Sequence, residues 1–438
     1  MDAERYHRAG LLLPALAGLV CGGLSFAGPS FADPLFDDDG ATRAEVGGHV
    51  KGRVLAAGFP RDSLFRELVG STAFDVEGDL RLNLELGRGG WALHADYQLF
   101  GARGDQVELR QALPGEGLFF PRVADDDRRL MDLTHTLYED DRNLWLHRLD
   151  RLWLGYTGAR TVVRIGRQSL SWGNGLFYAP MDLVNPFDPA TIDTEYKFGD
   201  DMLYTQYLLR SGADLQGAAV VRRNPMTGEV ESAQATTALK FHGFAGEWEF
   251  DLLLAEHYDD LVAGVGGVRA LGGALWRGDL VVSDTASGTY VQVVTNLSHS
   301  WVWGDRNVTG AVEYFYNEFG FRDGPYDAQR LASNPELLRR LARGDLYTLG
   351  RSALGGNLLV EVTPLWTVSP TVLVNLGDGS ALFQLITRVS LADEAVLLGS
   401  LNLPLGRRGT EYGGIETPVE DRTLSTDYGI FLQLARYF

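Results

Sequence analysis

Residues 164–208 carry the densest set of side chains that could do chemistry in this chain. They are rich in Gly, Pro and Asn, yet too apolar and aromatic for a freely solvated loop. Opposed rows of acidic and basic groups across a water-filled passage order water and favour polar over apolar solutes. The alternative is that these charges form salt bridges that fix the segment to a wall. The candidates are Arg164, Arg167, Gln168, Trp172, Asn174, Asp182, Asp188, Asp193, Glu195, Lys197, Asp200 and Asp201.

A second set of basic residues lies on stretches that resemble strands, each at a position that would face the same side of the sheet. If these side chains share the inside of a pore, they would favour anions. Alternatively, long cationic side chains simply fill and solvate a polar interior. A slip of one residue in register would move all of them to the other face. The set contains Arg81, Arg151, Arg164, Arg210, Arg222, Lys240 and Arg388.

Covalent chemistry has little support. The sequence has neither a Gly-x-Ser-x-Gly elbow nor a His-Glu-x-x-His motif. Its one cysteine, Cys21, excludes disulfides. His135 near Asp132 and His257 near Asp259 leave an enzymatic rim site as an alternative. No metal, cofactor or enzymatic activity is predicted.

The elements that must position these residues are strands. Apolar residues alternate with polar ones almost throughout, as in Leu80 to Leu86 and Trp248 to Leu254. The stretches run about ten residues, the length of a tilted strand across a hydrocarbon core. We count eighteen, at 45–57, 73–87, 90–101, 148–158, 160–170, 201–211, 213–223, 234–244, 246–257, 260–270, 273–283, 289–303, 306–318, 349–362, 366–376, 380–391, 394–404 and 426–438.

The connections between strands alternate in length. Every second one is a tight turn, and most of the others are long, such as 102–147, 171–200 and 319–348. This rhythm is typical of barrels that span a membrane. A soluble β-sandwich also alternates but does not predict the rhythm. We therefore predict an all-β transmembrane antiparallel barrel of about 18 strands (16–18), with long outer loops and with 171–200 and 102–147 folded into the lumen or over its mouth. Loop 319–348 should hold a short helix with Asn334 as N-cap.

The two ends of the chain fit export. Arg5 and Arg8 precede the apolar stretch Leu11 to Leu24, and Ser30-Phe31-Ala32 is a plausible cleavage site. We predict a signal peptide at 1–32, a periplasmic lead-in at 33–44 and the barrel at 45–438. The net charge of −19 argues against nucleic acid as a partner.

The end of the chain, Tyr437-Phe438, resembles the terminal assembly signal of bacterial outer-membrane barrels. Gly166-Arg167-Gln168, then Trp172-Gly173-Asn174 and Asn185-Pro186, resembles the pattern of porin-like barrels of Gram-negative bacteria, the DUF1302 and alginate-export-like group. The resemblance implies an outer-membrane location. Its implied partners are lipid and lipopolysaccharide, the barrel-assembly machinery and a small solute.

The resemblance implies a transport barrel, and barrels of 16 to 18 strands leave an aqueous channel. The predicted function is therefore passive passage of small hydrophilic or amphipathic solutes past an inward-folded loop. The first alternative is a conduit or accessory barrel for polysaccharide or lipid export. The second is a structural barrel or one with an enzymatic rim. The sequence leaves open whether the protein is a monomer or a homotrimer.

Overall fold

The structure covers two stretches of the chain. The computed structural model describes residues 42–113 and 125–438. The predicted signal peptide at 1–32, and all of the predicted lead-in except its last three residues, lie outside the described residues.

Strands dominate the described chain. Four short helices and one 3₁₀ turn, Ser232–Gln234, lie in the connections. The helices are Leu64–Val69 (α1), Asp105–Ala112 (α2), Ala328–Ala332 (α3) and Pro335–Arg343 (α4). The strands are Arg43–Gly58 (β1), Thr72–Arg88 (β2), Trp91–Gly104 (β3), Thr134–Glu139 (β4), Asn143–Thr157 (β5), Thr161–Gln168 (β6), Asp200–Leu208 (β7), Asp214–Val220 (β8), Thr236–Ala245 (β9), Trp248–His257 (β10), Asp260–Leu271 (β11), Ala274–Thr285 (β12), Gly288–Trp303 (β13), Arg306–Asn317 (β14), Ser352–Thr363 (β15), Trp366–Asn375 (β16), Ala381–Ala392 (β17), Ala395–Leu405 (β18), Ile415–Glu416 (β19), Thr423–Leu424 (β20) and Tyr428–Tyr437 (β21).

Eighteen of these strands form one closed antiparallel barrel. Each pairs with its neighbour along the chain, with β4, β19 and β20 left outside the ring. The last strand, β21, pairs with β1 and closes it. At that seam Gly48 N–H donates to the carbonyl of Phe438 at 2.9 Å, and Phe438 N–H donates back at 3.0 Å. The predicted barrel and its strand number are confirmed.

The two faces of the barrel differ in chemistry. In β14, Val312 is 56% exposed on the outside, whereas the next residue, Glu313, is fully buried on the inside. Successive side chains of a strand point to opposite faces. This gives an apolar outer face and a polar inner one, the lumen face. Among the described residues no helix is long and apolar enough to cross a membrane.

The wall is irregular beside β6 and β7. The part of β5 near the turns pairs with β6, but the other half pairs with β4 instead. Further along, Arg223 N–H donates to the carbonyl of Arg128 at 2.9 Å. Residues 125–139 therefore complete the wall above the short strands. We predicted that loop 102–147 folds into the lumen or over the mouth; this part of it lies in the wall instead.

The long outer loops pack on one another. Asn334 accepts a hydrogen bond from Leu337 N–H at 3.1 Å and Pro335 begins α4, which confirms the predicted cap. Tyr326, Leu337 and Leu341 join a buried apolar cluster with Phe315 of β14. This cluster anchors the loops over β13 to β15.

Candidate functional site

The connection between β6 and β7, residues 169–199, lies against the lumen face; we call it the inward segment. One of its anchors is Glu313 of β14, whose carboxylate accepts the backbone N–H groups of Leu176, Phe177 (2.9 Å) and Tyr178 (2.8 Å). Successive N–H groups of this kind form an anion-binding concavity. Asn296 donates to the same carboxylate at 3.1 Å. A strand carboxylate therefore fills a nest in the segment.

Two further contacts hold the same half of the segment. Asn174 donates through its backbone N–H and its side-chain amide to the two oxygens of Asp279 in β12, both at 2.7 Å. Trp172 donates from Nε1 to Gln216 of β8 at 2.7 Å. Asp279 lies on β12 and Gln216 lies on β8. The segment therefore spans the part of the wall between these two strands.

The other half of the segment crosses to β1, β2 and β21. The Lys51 ammonium lies 2.8 Å from Asp193 and 2.6 Å from Glu195. Tyr437 O–H donates to Glu195 at 2.8 Å. The ring of Tyr196 lies under the Arg81 guanidinium, with 4.0 Å to the ring centroid. The segment thus contacts walls around much of the barrel.

The remaining charged candidates of the segment are also satisfied. Lys197 pairs with Asp182 at 2.6 Å inside the segment. Asp188 accepts from Ala190 N–H at 2.8 Å. Asp200, at the start of β7, pairs with Arg222 at 2.8 Å. Salt bridges and local hydrogen bonds therefore account for these charges.

Arg167 and Asp201 lie on the other side of the wall. Both share the phase of the exposed residues Ile165 and Leu203. Arg167 donates to Asp201 at 2.9 Å and to Asp126 at 2.7 Å. These two candidates fasten residues 125–139 to the barrel and do not line the lumen.

The basic candidates on the strands are paired where they are buried. Arg81 and Arg151 both contact Asp150, at 2.9 and 3.0 Å. Lys240 contacts Asp251 at 3.1 Å. Arg388 shares the lumen phase of Gln384, which donates to the carbonyl of Ala190. Arg210 lies exposed in the turn before β8, outside the strands, so it does not line the wall, and Arg222 lies beyond the end of β8.

Arg164 has a different environment. Its guanidinium lies over Trp153, 4.8 Å from the ring centroid. The His94 ring stacks on Trp153 at 5.2 Å and 7°. With Gln168, these residues line a cavity of about 410 Å³ between the lumen face and the inward segment.

The two histidine candidates differ in access. His257 is buried, with Thr236 Oγ1 at 2.9 Å and Asp345 at 3.5 Å. His135 lies exposed on β4, with its ring edge-on to His147 at 5.7 Å. In the described part of the chain, His257 makes no hydrogen bond or ion pair with Asp259, and His135 makes none with Asp132.

Sequence reasoning missed the acceptors that hold the inward segment. Glu313 and Asp279 each stand as a single acid at a lumen phase between apolar neighbours. An isolated acid at a lumen position of an alternating strand was the sequence feature that could have predicted such an anchor. It does not reveal the partner, because the partner is the backbone of a distant loop.

An outer-loop carboxylate predicts a pH effect. Glu411 accepts from Leu349 N–H at 3.1 Å and from Asn375 at 2.7 Å, joining its own loop to the loop before β15 and to the end of β16. Burial raises the pKa of Glu411 to about 7. A raised folded-state pKa adds stability that is fully present below the ordinary value of 4.5 and is lost as pH rises through about 7. Amides of residues 406–427 should therefore exchange faster with solvent at pH 8 than at pH 5.

Glu411→Gln is the matched control, because it keeps the shape and stays neutral. Dividing the exchange rates of the native protein by those of the variant at each pH removes the intrinsic pH dependence. We expect this ratio to rise between pH 5 and pH 8. A flat ratio would contradict the role of Glu411.

Comparisons with known proteins agree on the barrel. No family model matches the chain, and no curated protein matches it. The structure is similar to Acinetobacter baumannii OccAB4, with a TM-score of 0.51 and 9% identity over 90% of this chain and 98% of that one. It is also similar to Wzi, described as a carbohydrate-binding β-barrel involved in capsule assembly in Escherichia coli, with a TM-score of 0.50 and 10% identity over 89% and 83%. A BenF-like porin from Pseudomonas fluorescens has a TM-score of 0.48 and 9% identity over 90% and 98%.

These likenesses are shared architecture at very low sequence identity. They concern the fold of the chain and leave its family unassigned. The resemblance to the DUF1302 and alginate-export-like group stays a prediction.

Proposed function

We propose that this protein is an outer-membrane channel for small hydrophilic or amphipathic solutes, narrowed by the inward segment. The observation that carries the proposal is a closed barrel of eighteen strands with an apolar outer face and a polar lumen face. A closed barrel is one of two structures that satisfy the backbone in lipid. Barrels of 16 to 18 strands leave an aqueous channel.

The distribution of tryptophan supports a membrane position. Exposed tryptophans gather at the end of the barrel that carries the tight turns. Tryptophan is enriched where a membrane meets water. The side chains concerned are Trp91, Trp248, Trp301, Trp303 and Trp366. Next to the apolar outer face, they support one membrane–water interface, which we assign to the periplasmic side because short turns lie on that side in outer-membrane barrels.

The inward segment is the proposed narrowing. It is fixed to the lumen face by Glu313 and Asp279 on one side and by Lys51 on the other. Three of its acids, Asp182, Asp193 and Glu195, are paired with lysines of the wall or of the segment. Asp188 accepts the backbone N–H of Ala190. We therefore propose that it restricts solutes by size and hydrogen bonding, with weak selectivity among ions.

The proposed partners follow from the same location. Lipid and lipopolysaccharide would cover the apolar face. The assembly machinery would read Tyr437 and Phe438, which lie at the end of the closing strand β21.

Single-channel conductance in planar bilayers tests the function. The refolded mature protein should give stable current steps in KCl, and a small reversal potential across a salt gradient because most of the buried lumen charges are paired. Correctly folded protein that stays silent, also after the inward segment is removed, would overturn the channel.

The structure offers a clean way to remove the segment. Gln168 and Asp200 pair directly across β6 and β7, so a short glycine-rich hairpin can join them in place of residues 169–199. We expect conductance to rise several-fold. The same replacement at the exposed loop 224–229 should leave it unchanged. Equal conductance of the two variants would contradict the narrowing.

A further inference from the structure

The cavity beside Arg164 contains a cation whose hydrogen-bonding edge is free. The face of the Arg164 guanidinium is stacked on Trp153. Within the described chain, its N–H groups make no hydrogen bond or ion pair. Arg151, which also lines the cavity, is committed to Asp150 and to the carbonyl of Lys197. Arg164 therefore offers a planar fork that matches a carboxylate.

The acids of the cavity do not compensate this charge. Asp96 is taken by His94 at 2.9 Å and by Arg81 at 3.4 Å. Glu195 is taken by Lys51 at 2.6 Å. Among the charged side chains that line the cavity, Arg164 is thus the one without an ion-pair partner in the described chain, and its positive charge favours an anion.

Three aromatic side chains in an otherwise polar lining can contact a flat body. Trp153 comes from the wall, and Phe187 and Tyr196 come from the inward segment. Asn83 and Gln168 add amides that can bond a second polar group. A volume of about 410 Å³ lies in the range of pockets that enclose a small organic molecule.

We propose that this cavity binds an organic anion with one planar carboxylate and an aromatic or similarly flat body. The carboxylate pairs with the Arg164 fork and the body lies among the aromatic rings. This deepens the proposed function and rests on it, because the solute reaches the cavity through the lumen.

Calorimetric titration of the full mature protein in detergent micelles tests the site. Phenylacetate is the probe, and phenylacetamide is its neutral counterpart of the same shape. Acetate carries the carboxylate charge but lacks the aromatic ring. Micelles without protein supply the blank. We expect phenylacetate to bind about 10- to 100-fold more tightly than phenylacetamide, as befits charge-assisted hydrogen bonds, and more tightly than acetate.

Variants assign the binding to Arg164. Arg164→Gln should weaken phenylacetate binding by the same factor, and Arg164→Lys should restore part of it. Arg210→Gln removes the same charge from an exposed turn and should have no effect. Equal losses in Arg164→Gln and Arg210→Gln would overturn the site, as would equal affinity for phenylacetate and phenylacetamide or for phenylacetate and acetate.

Conductance separates this proposal from the channel itself. Protein that conducts but does not bind phenylacetate overturns the site and leaves the channel. Protein that binds phenylacetate through Arg164 but never conducts, even without the inward segment, overturns the channel and leaves the site.

Discussion

Arg167→Met is expected to destabilise the protein by about 3–5 kcal/mol, the cost of removing one partner from a buried ion pair. Arg167 is 1% exposed and holds Asp201 and Asp126 together. It also donates to the carbonyl of Met131. Without it, the buried Asp201 loses its counter-charge, Asp126 is left with Arg129 at 2.9 Å as its cation, and residues 125–139 lose their fastening to the wall. The effect should appear as a lower urea midpoint and as faster proteolysis within 125–139.

Arg142→Met is the control for this change. Arg142 likewise pairs with an aspartate, Asp105, but its side chain is 56% exposed. Exposed pairs contribute less than about 1 kcal/mol. Equal shifts of the two midpoints would show that the cluster around Arg167 does not seal the wall.

The barrel could be predicted because its determinants are local. Alternation along each strand and the rhythm of tight turns are both visible in one stretch of chain. All eighteen predicted strands have a counterpart in the ring. The missed strand β4 lies in a loop and pairs with only five residues of β5. It extends the wall because β6 and β7 are short, and no local sequence pattern predicts that they are short.

The inside of the barrel was harder to predict because it depends on irregularities. The pairing of β3 with β5 slips between Asp96 and Tyr97, which leaves Asp150 unpaired in the ladder and buried beside Arg151. Strict alternation would put adjacent residues on opposite faces. The acid that neutralises Arg81 and Arg151 was hidden by this bulge.

Arg167 shows an error of a different kind. It stands two residues after Ile165, which is exposed on the outer face, so the phase itself places it outside. Grouping it with the lumen candidates by proximity in sequence overlooked that phase. Arg210 was misplaced because β7 ends at Leu208, and strand ends are the least certain feature of a sequence-based reading.

The balance of charge follows from these pairings. A basic set on an otherwise acidic chain suggested an anion-selective lumen. In the structure, Arg81, Arg151 and Lys240 each have an acidic partner. Ion selectivity then depends on the basic residues that lack an acidic partner. For this reason Arg164 matters more than the number of basic residues in the set.

Glu313→Gln is expected to release the first half of the inward segment. The carboxylate accepts three consecutive backbone N–H groups and the Asn296 amide. The glutamine amide turns one acceptor oxygen into a donor that faces other donors. Each buried donor left unsatisfied costs about 1–3 kcal/mol. Amides of residues 174–178 should exchange with solvent much faster, while those of the barrel strands stay protected.

The same variant links the contacts of the segment to passage through the barrel. A released segment should give larger and noisier current steps than the native protein. Glu361→Gln is the matched control, because Glu361 is exposed and, among the described residues, accepts a single hydrogen bond, from Asn307 at 2.7 Å. If Glu313→Gln frees residues 174–178 in hydrogen exchange without changing the current, the first half of the segment is not what narrows the lumen. The narrowing would then have to lie in the half held by Lys51.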